Sequence, residues 1–394
     1  MKESLFNYRF EYENQKYIFN TNNNGLIQIN NDIFTEEERE YLRVNRFWVD
    51  DNEDEIALLE REINHNIQKR QKELELTIAL TNYCNFSCVY CYQNKNEKLM
   101  TTEVANMIIE KIDRILNDNI FEGINIHYFG GEPWLNIPVL IYLDENIKKI
   151  TDKIGIVYKA FLTTNGSMLS KELLQKVKFS SIQLTFDGLE KTHDRLRVSD
   201  HFHFKEEIEL IENIMNFSQA KVLLRTNICK ENKDEIIALH KYIFEKFGNE
   251  RIEINPNRTI KYHQDDSFEM LSVQEYAEVA YQIKLLWSEQ KGKFELPVPR
   301  STPCKFPYGN AYAISPEGYC TFCSGSMDQE KKYFFDVDIE NKKMFSVRKE
   351  CKKCNILPLC LGGCIIQYNL RAGACTYEKY ELKNILISYI KHIS

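Results

Sequence analysis

Three closely spaced cysteines stand in the segment TNYCNFSCVYCYQ, directly after a run in which apolar and polar residues alternate. They are Cys84, Cys88 and Cys91, in the spacing C-x3-C-x2-C. Thiolates at this spacing can bind three irons of a cubane iron–sulfur cluster and leave the fourth iron open to a ligand from outside the protein. A zinc site is the alternative, but tetrahedral zinc usually takes four protein ligands, and no His lies between His65 and His127. The spacing therefore predicts a catalytic cluster rather than an electron carrier.

A second set of cysteines occupies the C-terminal third of the chain. Its members are Cys304, Cys320 and Cys323, then Cys351, Cys354, Cys360 and Cys364 in the pattern C-x2-C-x5-C-x3-C, and finally Cys375. The two C-x2-C pairs are also compatible with a zinc ribbon, but that alternative leaves the other four cysteines of the set without a role. Cys229 lies outside both sets, and we expect it to be a buried structural thiol.

The elements that must position these cysteines alternate between strands and helices. Strand-like runs cover 74–80, 124–129, 160–164, 182–186, 222–227 and 252–255. Helical patterns between them include 103–116, 171–177, 206–215 and 233–247. Six β/α units in a row predict an α/β fold with a parallel sheet that is curled as a partial barrel.

Polar and glycine-rich motifs stand where the predicted strands end. FGGEP follows the second strand, TTNG the third and TFDG the fourth, and RTN lies at the fifth. In parallel β/α architectures, binding sites are built at this edge of the sheet. We therefore expect the functional site there.

The cysteine loop, with Tyr90 just before its third cysteine, and the motif Gly130-Gly131-Glu132-Pro133 resemble the radical S-adenosylmethionine (radical SAM) superfamily over roughly residues 74–256. The resemblance implies that the amino and carboxylate groups of S-adenosylmethionine chelate the open iron. It also implies reductive cleavage to a 5′-deoxyadenosyl radical that abstracts a substrate hydrogen, so that no protein residue acts as the hydrogen abstractor.

The resemblance further implies which residues bind S-adenosylmethionine. The backbone of Gly130, Gly131 and Glu132 would hold the methionine amino group, since glycine lets main chain approach a ligand closely. The other residues implied as contacts are Tyr90, Thr164, Asn165, Thr185, Asp187, Arg225 and Asn227. A tight turn and polar strand ends without a ligand are the alternatives. The segment 193–197, HDRLR, either contacts a ligand as in the family or is a solvated helix start with paired charges.

The C-terminal cysteines resemble the SPASM domain, which carries two auxiliary [4Fe–4S] clusters in radical enzymes that modify peptides and proteins. The resemblance implies that Cys304, Cys323 and Cys364 bind the cluster nearer to the catalytic one. It assigns the farther cluster to Cys351, Cys354, Cys360 and Cys375. Cys320 either supplies a fourth ligand to the nearer cluster or leaves it with an open iron. Three cubanes predict about twelve irons per chain, whereas one cubane and a zinc ribbon predict about four.

Composition excludes several classes of partner. The 394 residues carry 51 basic and 58 acidic side chains, a net charge of −7 that favours neither nucleic acid nor an anionic membrane. The N-terminus has no apolar signal-like region, and no stretch approaches the ~18 apolar residues of a membrane-spanning helix. We therefore expect a cytoplasmic protein. Its twelve cysteines are then metal or cluster ligands rather than disulfides, because the cytosol keeps thiols reduced.

Residues 1–70 are expected to form a separate α+β module. Aromatic and aliphatic residues at 8–12, 17–19 and 26–29 predict three short strands, with a turn at 22–25, and helices follow near 35–42 and 54–66. This order is similar to the winged-helix-like element that binds the leader of a ribosomally made precursor peptide as an added edge strand. A plain capping domain is the alternative. We expect the radical SAM barrel at 71–290 and the SPASM domain at 300–394.

The leading functional hypothesis is a radical SAM maturase of a ribosomally made peptide. Anaerobic sulfatase-maturating enzymes resemble the chain but begin their cysteine loop close to the N-terminus, whereas 83 residues precede it here. They also carry Asp after the cysteine that corresponds to Cys323, where this chain has Ser324. We favour thioether cross-linking, then carbon–carbon cross-linking, then epimerisation. The expected electron donor is a low-potential protein such as ferredoxin or flavodoxin. A non-catalytic iron–sulfur or zinc protein that binds a peptide or carries electrons is the alternative of a different class.

Overall fold

The computed structural model describes residues 1–29, 34–118, 121–248, 251–261, 267–308, 310–321, 323–325, 332–337, 344–364 and 375–393. The chain divides into two compact units. The terminal unit comprises 1–69, 272–308 and 343–394, and the barrel unit comprises 70–271 and 309–342. The terminal unit thus joins the two ends of the chain, whereas the barrel unit is continuous apart from one later segment.

The N-terminal part of the terminal unit is a small α+β arrangement. Its elements are β1 (Lys2–Glu3), β2 (Asn7–Tyr12), β3 (Gln15–Asn20), β4 (Gly25–Ile29), α1 (Glu36–Val44), β5 (Trp48–Val49) and α2 (Glu55–Arg70). Strands β2, β3 and β4 form an antiparallel meander, and β1 pairs with β5. Glu13 and Asn14 both have positive φ, 48° and 60°, as the tight turn between β2 and β3 requires. Helix α1 begins at a capping box in which the Thr35 and Glu38 side chains each accept the other residue's N–H.

The barrel unit contains six strands that alternate with helices, two of which follow β9. Its elements are β6 (Glu73–Ala79), α3 (Thr102–Asp118), β7 (Gly123–Phe129), α4 (Ile137–Ile154), β8 (Val157–Thr163), α5 (Lys171–Lys176), β9 (Phe179–Thr185), α6 (Glu190–Leu196), α7 (Phe204–Phe217), β10 (Lys221–Ile228), α8 (Ile236–Phe247) and β11 (Ile252–Arg258). Strands β6 to β11 are parallel and neighbour one another in chain order. Residues such as Leu76, Ile126 and Leu224 are at most 1% exposed, so the face of the sheet that carries them is covered.

A later segment of the chain extends this sheet. Strand β12 (Ala311–Ile314) pairs in parallel with β6, and β13 (Tyr319–Thr321) and β14 (Lys332–Tyr333) continue outward in antiparallel pairs. The sheet therefore has nine described strands and is mostly parallel. Cys320 lies on β13, and Cys323 follows it.

The rest of the terminal unit is helical. It contains α9 (Val273–Lys291), α10 (Lys305–Tyr308), α11 (Leu357–Cys360) and α12 (Glu378–Ile393). Helices α9 and α12 pack together, and a Lys284–Glu381 ion pair joins them. Phe10 and Phe19 of the N-terminal meander share an apolar core with Leu359 and Leu386. The two ends of the chain are thus held in one unit by a common core.

The predicted strands and helices agree with the observed ones to within four residues at each end. The α/β class and the mostly parallel sheet are confirmed and are consistent with a partial barrel. In the part of the chain that the structure describes, no helix is both long and apolar enough to cross a membrane. The predicted winged-helix character of the N-terminal module, the cysteine-rich domain and the domain boundaries stay predictions.

Candidate active site and cysteine clusters

The three-cysteine loop leaves the carboxyl end of β6 and is half-buried. The Cys84 sulfur accepts the Phe86 N–H at 3.4 Å, and the Cys91 N–H donates to the Cys88 carbonyl at 3.2 Å. Burial raises the pKa of the Cys88 thiol to about 12, although the Arg197 charge opposes the rise. The local turns thus present the three thiols from a short, compact segment.

The glycines after β7 press against the main chain of this loop. The Gly131 N–H donates to the Thr81 carbonyl at 2.8 Å, and the Glu132 N–H donates to the Tyr83 carbonyl at 2.9 Å. A Cβ on Gly131 would lie 2.0 Å from the Tyr83 oxygen, and Gly130 has a φ of +140°. Glycine is required here because two backbones touch, one of which leads directly into Cys84.

The Glu132 carboxylate joins the ends of β7 and β8. It is fully buried and accepts hydrogen bonds from the Trp134 N–H (3.1 Å), the Thr164 hydroxyl (2.7 Å) and the Asn165 N–H (2.7 Å). Burial raises the pKa of this carboxyl to about 7 against those three hydrogen bonds. The predicted site residues of the second and third strand ends therefore meet in one buried network.

Asn165 connects that network to the cysteine loop. Its amide Nδ2 lies 2.8 Å from Asn85 Oδ1 and 3.8 Å from the Cys84 sulfur. Its Oδ1 accepts the Ser167 N–H at 2.9 Å, and Asn85 donates to the Ser167 hydroxyl at 2.9 Å. The end of β8 thus braces the loop at its first cysteine.

The end of β9 holds the other side of the loop, and the end of β10 supports the end of β9. The Tyr90 hydroxyl donates to one oxygen of the buried Asp187 carboxylate, and the Asn227 N–H donates to the other at 2.7 Å. Arg225 Nε donates to Asn227 Oδ1 at 2.8 Å, and Thr185 is the register partner of Arg225 on the neighbouring strand. Burial raises the pKa of Asp187, while the charge of Arg197 lowers it. All the predicted barrel residues therefore lie at the carboxyl edge of the sheet.

The HDRLR segment is not a solvated helix start, because its first and last residues are buried. His193 Nε2 lies 3.1 Å from Glu207 Oε2, and Arg197 Nε lies 4.0 Å from the same oxygen. Glu207 is fully buried on α7, and sequence reasoning missed it. The available signal was its place on the apolar stripe of α7, three residues after Phe204 and four before Ile211.

The terminal unit contains six further cysteines, and the residues around several of them lie close together. The Cys354 N–H donates to the Cys351 carbonyl at 3.0 Å, and the Gly362 N–H approaches the Cys360 sulfur at 3.4 Å. A Cβ on Gly363 would lie 2.5 Å from the Thr376 methyl, which brings the residue after Cys375 back to this segment. Cys304 and Cys351 both line a cavity of about 90 Å³ beside Arg348.

The donor set fits iron–sulfur clusters. Among the described residues, no three or more His, Cys, Asp or Glu side chains converge as ligands of a single metal ion. Thiolates of a cubane each bind a different iron, so they need not converge on one point. The Cys84 and Cys360 sulfurs also accept backbone N–H groups, an arrangement common around cluster thiolates. Cys229 is fully buried beside Leu196 and Phe268, as expected of a structural thiol.

Residues 78–243 match the model of the Radical SAM superfamily. The matched residues run from β6 into α8 and include the cysteine loop and every barrel residue named as a candidate contact. The chain therefore contains a radical SAM domain, and the predicted resemblance to this superfamily is confirmed.

Comparison with curated proteins finds relatives that match less than half of this chain and a relative that matches most of it. The radical SAM cyclopropyl synthase TigE of Paramaledivibacter caminithermalis is 23% identical over 83% of this chain and 76% of its own length. An uncharacterised protein of Methanocaldococcus jannaschii is 34% identical over 29% of this chain, which spans 39% of that protein. The chain likewise spans 53% of the GTP 3′,8-cyclase of Helicobacter pylori, at 30% identity.

Two groups of solved structures share the fold. The structure of anSMEcpe with bound AdoMet matches 82% of this chain and 98% of its own, with a TM-score of 0.65 and 18% identity. Streptococcus suis SuiB bound to precursor peptide SuiA matches 96% of this chain and 98% of its own, with a TM-score of 0.55 and 16% identity. At these identities, the likeness is one of fold.

Proposed function

We propose that this chain is a radical SAM peptide maturase whose catalytic [4Fe–4S] cluster is held by Cys84, Cys88 and Cys91. The observation that carries the proposal is the fastening of this loop by the ends of three strands, β7, β8 and β9, the last of which the end of β10 supports through Asp187. When bound, the cluster and S-adenosylmethionine supply a 5′-deoxyadenosyl radical that removes a hydrogen atom from the substrate. The protein's task is then to hold and aim, which rigid strand ends do well.

The residues that hold S-adenosylmethionine divide into two groups in this proposal. We assign the backbone of Gly130–Glu132 to the methionine amino group, and Thr185 and Arg225, which lie side by side, to the carboxylate. The carboxylates of Glu132 and Asp187 already accept protein hydrogen bonds on both of their oxygens. We therefore assign these two to fixing the strand ends, with Thr164, Asn165, Tyr90 and Asn227 as their partners.

We further propose two auxiliary [4Fe–4S] clusters in a SPASM domain at residues 300–394. Cys351, Cys354, Cys360 and Cys375 hold one cluster, and the contacts of Cys354, Gly362 and Thr376 support this grouping. Cys304, Cys323 and Cys364 hold the other, with Cys320 as a fourth ligand or with an open iron. An iron count of about twelve per chain is expected, against about four for one cubane and a zinc ribbon.

The substrate in this proposal is a ribosomally made precursor peptide, bound through its leader. Strand β4 is an edge of the β2–β3–β4 meander among the described strands, and an extended peptide can add to such an edge by main-chain hydrogen bonds. The fold likeness to SuiB, which was solved with a precursor peptide, covers 96% of this chain and supports the proposal. In this proposal, residues 1–70 are the winged-helix-like module that binds the leader. The enzyme would work in the cytoplasm with a low-potential donor such as ferredoxin or flavodoxin.

The bond formed is a thioether in our first hypothesis, made between a substrate Cys and a carbon of the same peptide. A carbon–carbon bond is the second candidate, because TigE, a relative that matches 83% of this chain, is a cyclopropyl synthase. Epimerisation ranks third. Formylglycine formation is less well supported, since 83 residues precede the cysteine loop and Ser324 follows Cys323.

The first experiment asks whether the protein is an enzyme or only an iron–sulfur or zinc protein. Reconstituted anaerobically and reduced with dithionite, it should cleave S-adenosylmethionine to 5′-deoxyadenosine. The combined variant Cys84→Ala, Cys88→Ala and Cys91→Ala should abolish cleavage and lose about four irons per chain while keeping about eight. Cys229→Ala is the matched control and should keep both. Absence of cleavage in the fully loaded wild type would favour a binding or electron-carrier role.

The second experiment addresses the peptide. We would co-express the protein anaerobically with the short peptide encoded beside its gene and weigh the product. A loss of two hydrogens per modification is expected for either cross-link, and fragmentation then separates carbon–sulfur from carbon–carbon bonds. Epimerisation would instead leave the mass unchanged in ordinary water and raise it in deuterated water, because the carbon that is inverted takes up deuterium. An unchanged mass without deuterium would contradict this peptide as the substrate.

A further inference from the structure

Arg197 is a buried cation whose ion pair with Glu207 is long. Its side chain is 6% exposed, and its Nε makes no hydrogen bond within the described part of the chain. The carboxylate oxygen of Glu207 lies 4.0 Å away, too far for a hydrogen bond. The guanidinium carbon lies 5.3 Å from the centroid of the Phe86 ring, which is itself buried. A guanidinium kept out of water in this way acts on its surroundings mainly through its charge.

The main chain places Arg197 opposite Cys88. The Ser87 N–H donates to the Val198 carbonyl at 2.8 Å, and the Val89 N–H donates to the Leu196 carbonyl at 3.0 Å. The four bonded residues flank Cys88 in one segment and Arg197 in the other, and the two segments run in opposite directions. The HDRLR segment is thereby fixed in register with the middle cysteine of the loop.

The charge of Arg197 also acts on the acidic groups around the site. The charge of Arg197 lowers the pKa of Asp187 and of Glu132, each of which burial raises. In a buried setting such an effect is screened less than at the surface. Arg197 therefore stabilises added negative charge at this end of the sheet.

We propose that Arg197 is a positioning residue that sets the reduction potential of the cluster held by Cys84, Cys88 and Cys91, with Glu207 as its moderating counter-charge. The inference rests on the proposed function, since it requires that cluster. Reduction transfers one electron from an external reductant to the cluster and makes it more negative by one charge. A fixed cation beside Cys88 stabilises the reduced form and raises the potential, because cluster potentials follow local charge and solvent exposure.

The test is a redox titration followed by electron paramagnetic resonance, without S-adenosylmethionine. Wild type, Arg197→Lys, Arg197→Gln and Glu207→Gln are reconstituted anaerobically as full-length protein, and the combined cysteine variant supplies the spectrum of the auxiliary clusters for subtraction. Arg197→Gln should lower the ratio of reduced to oxidised cluster about tenfold at a given potential, which is about 59 mV for one electron. Arg197→Lys keeps the charge and should retain most of the wild-type potential.

Glu207→Gln separates the charge effect from damage to the fold. Removing the counter-charge should shift the potential upward, opposite to Arg197→Gln, whereas a loosened loop would shift both variants in the same direction. Arg195→Gln changes an exposed residue of α6 that lies two positions before Arg197. It is the matched control and should leave the potential unchanged. Unchanged potentials in both buried variants, or shifts of the same sign, would overturn the inference. A wild type without a cluster that depends on the three cysteines would overturn the proposed function itself.

Discussion

The two cysteine-rich regions of the molecule are held in different ways. In the barrel unit, the segment from Thr81 to Cys91 is fastened by hydrogen bonds with the ends of β7, β8 and β9 and with Leu196 and Val198, four of them between main chains. In the terminal unit, the segment 349–363 consists of short turns and the four-residue helix α11. Its cysteines Cys351 and Cys354 pack against apolar cores instead.

Backbone strain follows the same division. Leu361 has a φ of +46°, and Gly362 and Gly363 continue in the left-handed region with φ of +84° and +71°. Leu361 is the costly member, because a left-handed residue with a side chain is disfavoured by about 1–2 kcal/mol. Between residues 80 and 100, by contrast, no described residue has a positive φ. The barrel loop is therefore held by the protein itself, and we propose that the terminal segment depends on bound metal for its shape.

Removal of iron should show the difference between the two cysteine regions most strongly. When the reconstituted protein is stripped with a chelator under reducing conditions, amide hydrogen exchange in residues 349–363 should accelerate by at least about 100-fold, or about 2.7 kcal/mol. Exchange in β6 to β10 should change by less than about fivefold. The physical reason is that the backbone hydrogen bonds of the terminal segment close short turns, such as Cys354 N–H to the Cys351 carbonyl, and do not form part of a sheet. Equal acceleration in both regions would show that the barrel loop depends on its cluster just as much.

Gly131→Ala should damage the barrel loop alone. The added Cβ would lie 2.0 Å from the Tyr83 carbonyl oxygen, and only a shift of main chain can relieve that contact. We expect the iron content to fall from about twelve to about eight per chain, with loss of S-adenosylmethionine cleavage. Gly155→Ala is the control: Gly155 has a φ of +75° but no atom within 4 Å of a new Cβ. That variant should cost about 1 kcal/mol of stability and keep all its iron.

The buried carboxylate of Glu132 gives the barrel a pH dependence. Burial raises its pKa from 4.5 to about 7, so between those values the folded protein binds more protons than the unfolded chain. Stability therefore falls as the pH rises from about 4.5 to about 7, by roughly 2–4 kcal/mol in total. Glu132→Gln should flatten this dependence.

Hydrogen exchange of the β7 and β8 amides at pH 5 and pH 7.5, corrected for the intrinsic exchange rate, measures this effect. The control is Glu110→Gln, an exposed position on α3, which should keep the wild-type slope. An equal slope in Glu132→Gln would mean that another group carries the proton.

The barrel was largely predictable from the sequence, and the terminal unit was much less so. Strand alternation and motifs such as FGGEP and TFDG predicted the edge of the sheet where Glu132 and Asp187 lie, because parallel strands end on one side. The partners of these carboxylates were not predictable, since contacts such as Thr164 with Glu132 depend on rotamers and on main-chain approach. Glu207 was missed because it is a single acidic residue in an otherwise ordinary helical pattern. The common core of Phe10 and Leu386 escaped prediction because sequence periodicity carries no information about partners hundreds of residues away.

Asn85→Ala should have the smallest effect and shows what holds the barrel loop. Asn85 is exposed, and its side chain bonds Ser167 at 2.9 Å and Asn165 at 2.8 Å. Losing such bonds costs about 1 kcal/mol, while the main-chain bonds of Gly131 and Glu132 to the loop remain. Single-turnover formation of 5′-deoxyadenosine should therefore slow by about fivefold at most, with an unchanged iron count. Loss of iron in Asn85→Ala, as expected for Gly131→Ala, would mean that side-chain contacts hold the barrel loop. The two cysteine regions would then differ less than their backbones indicate.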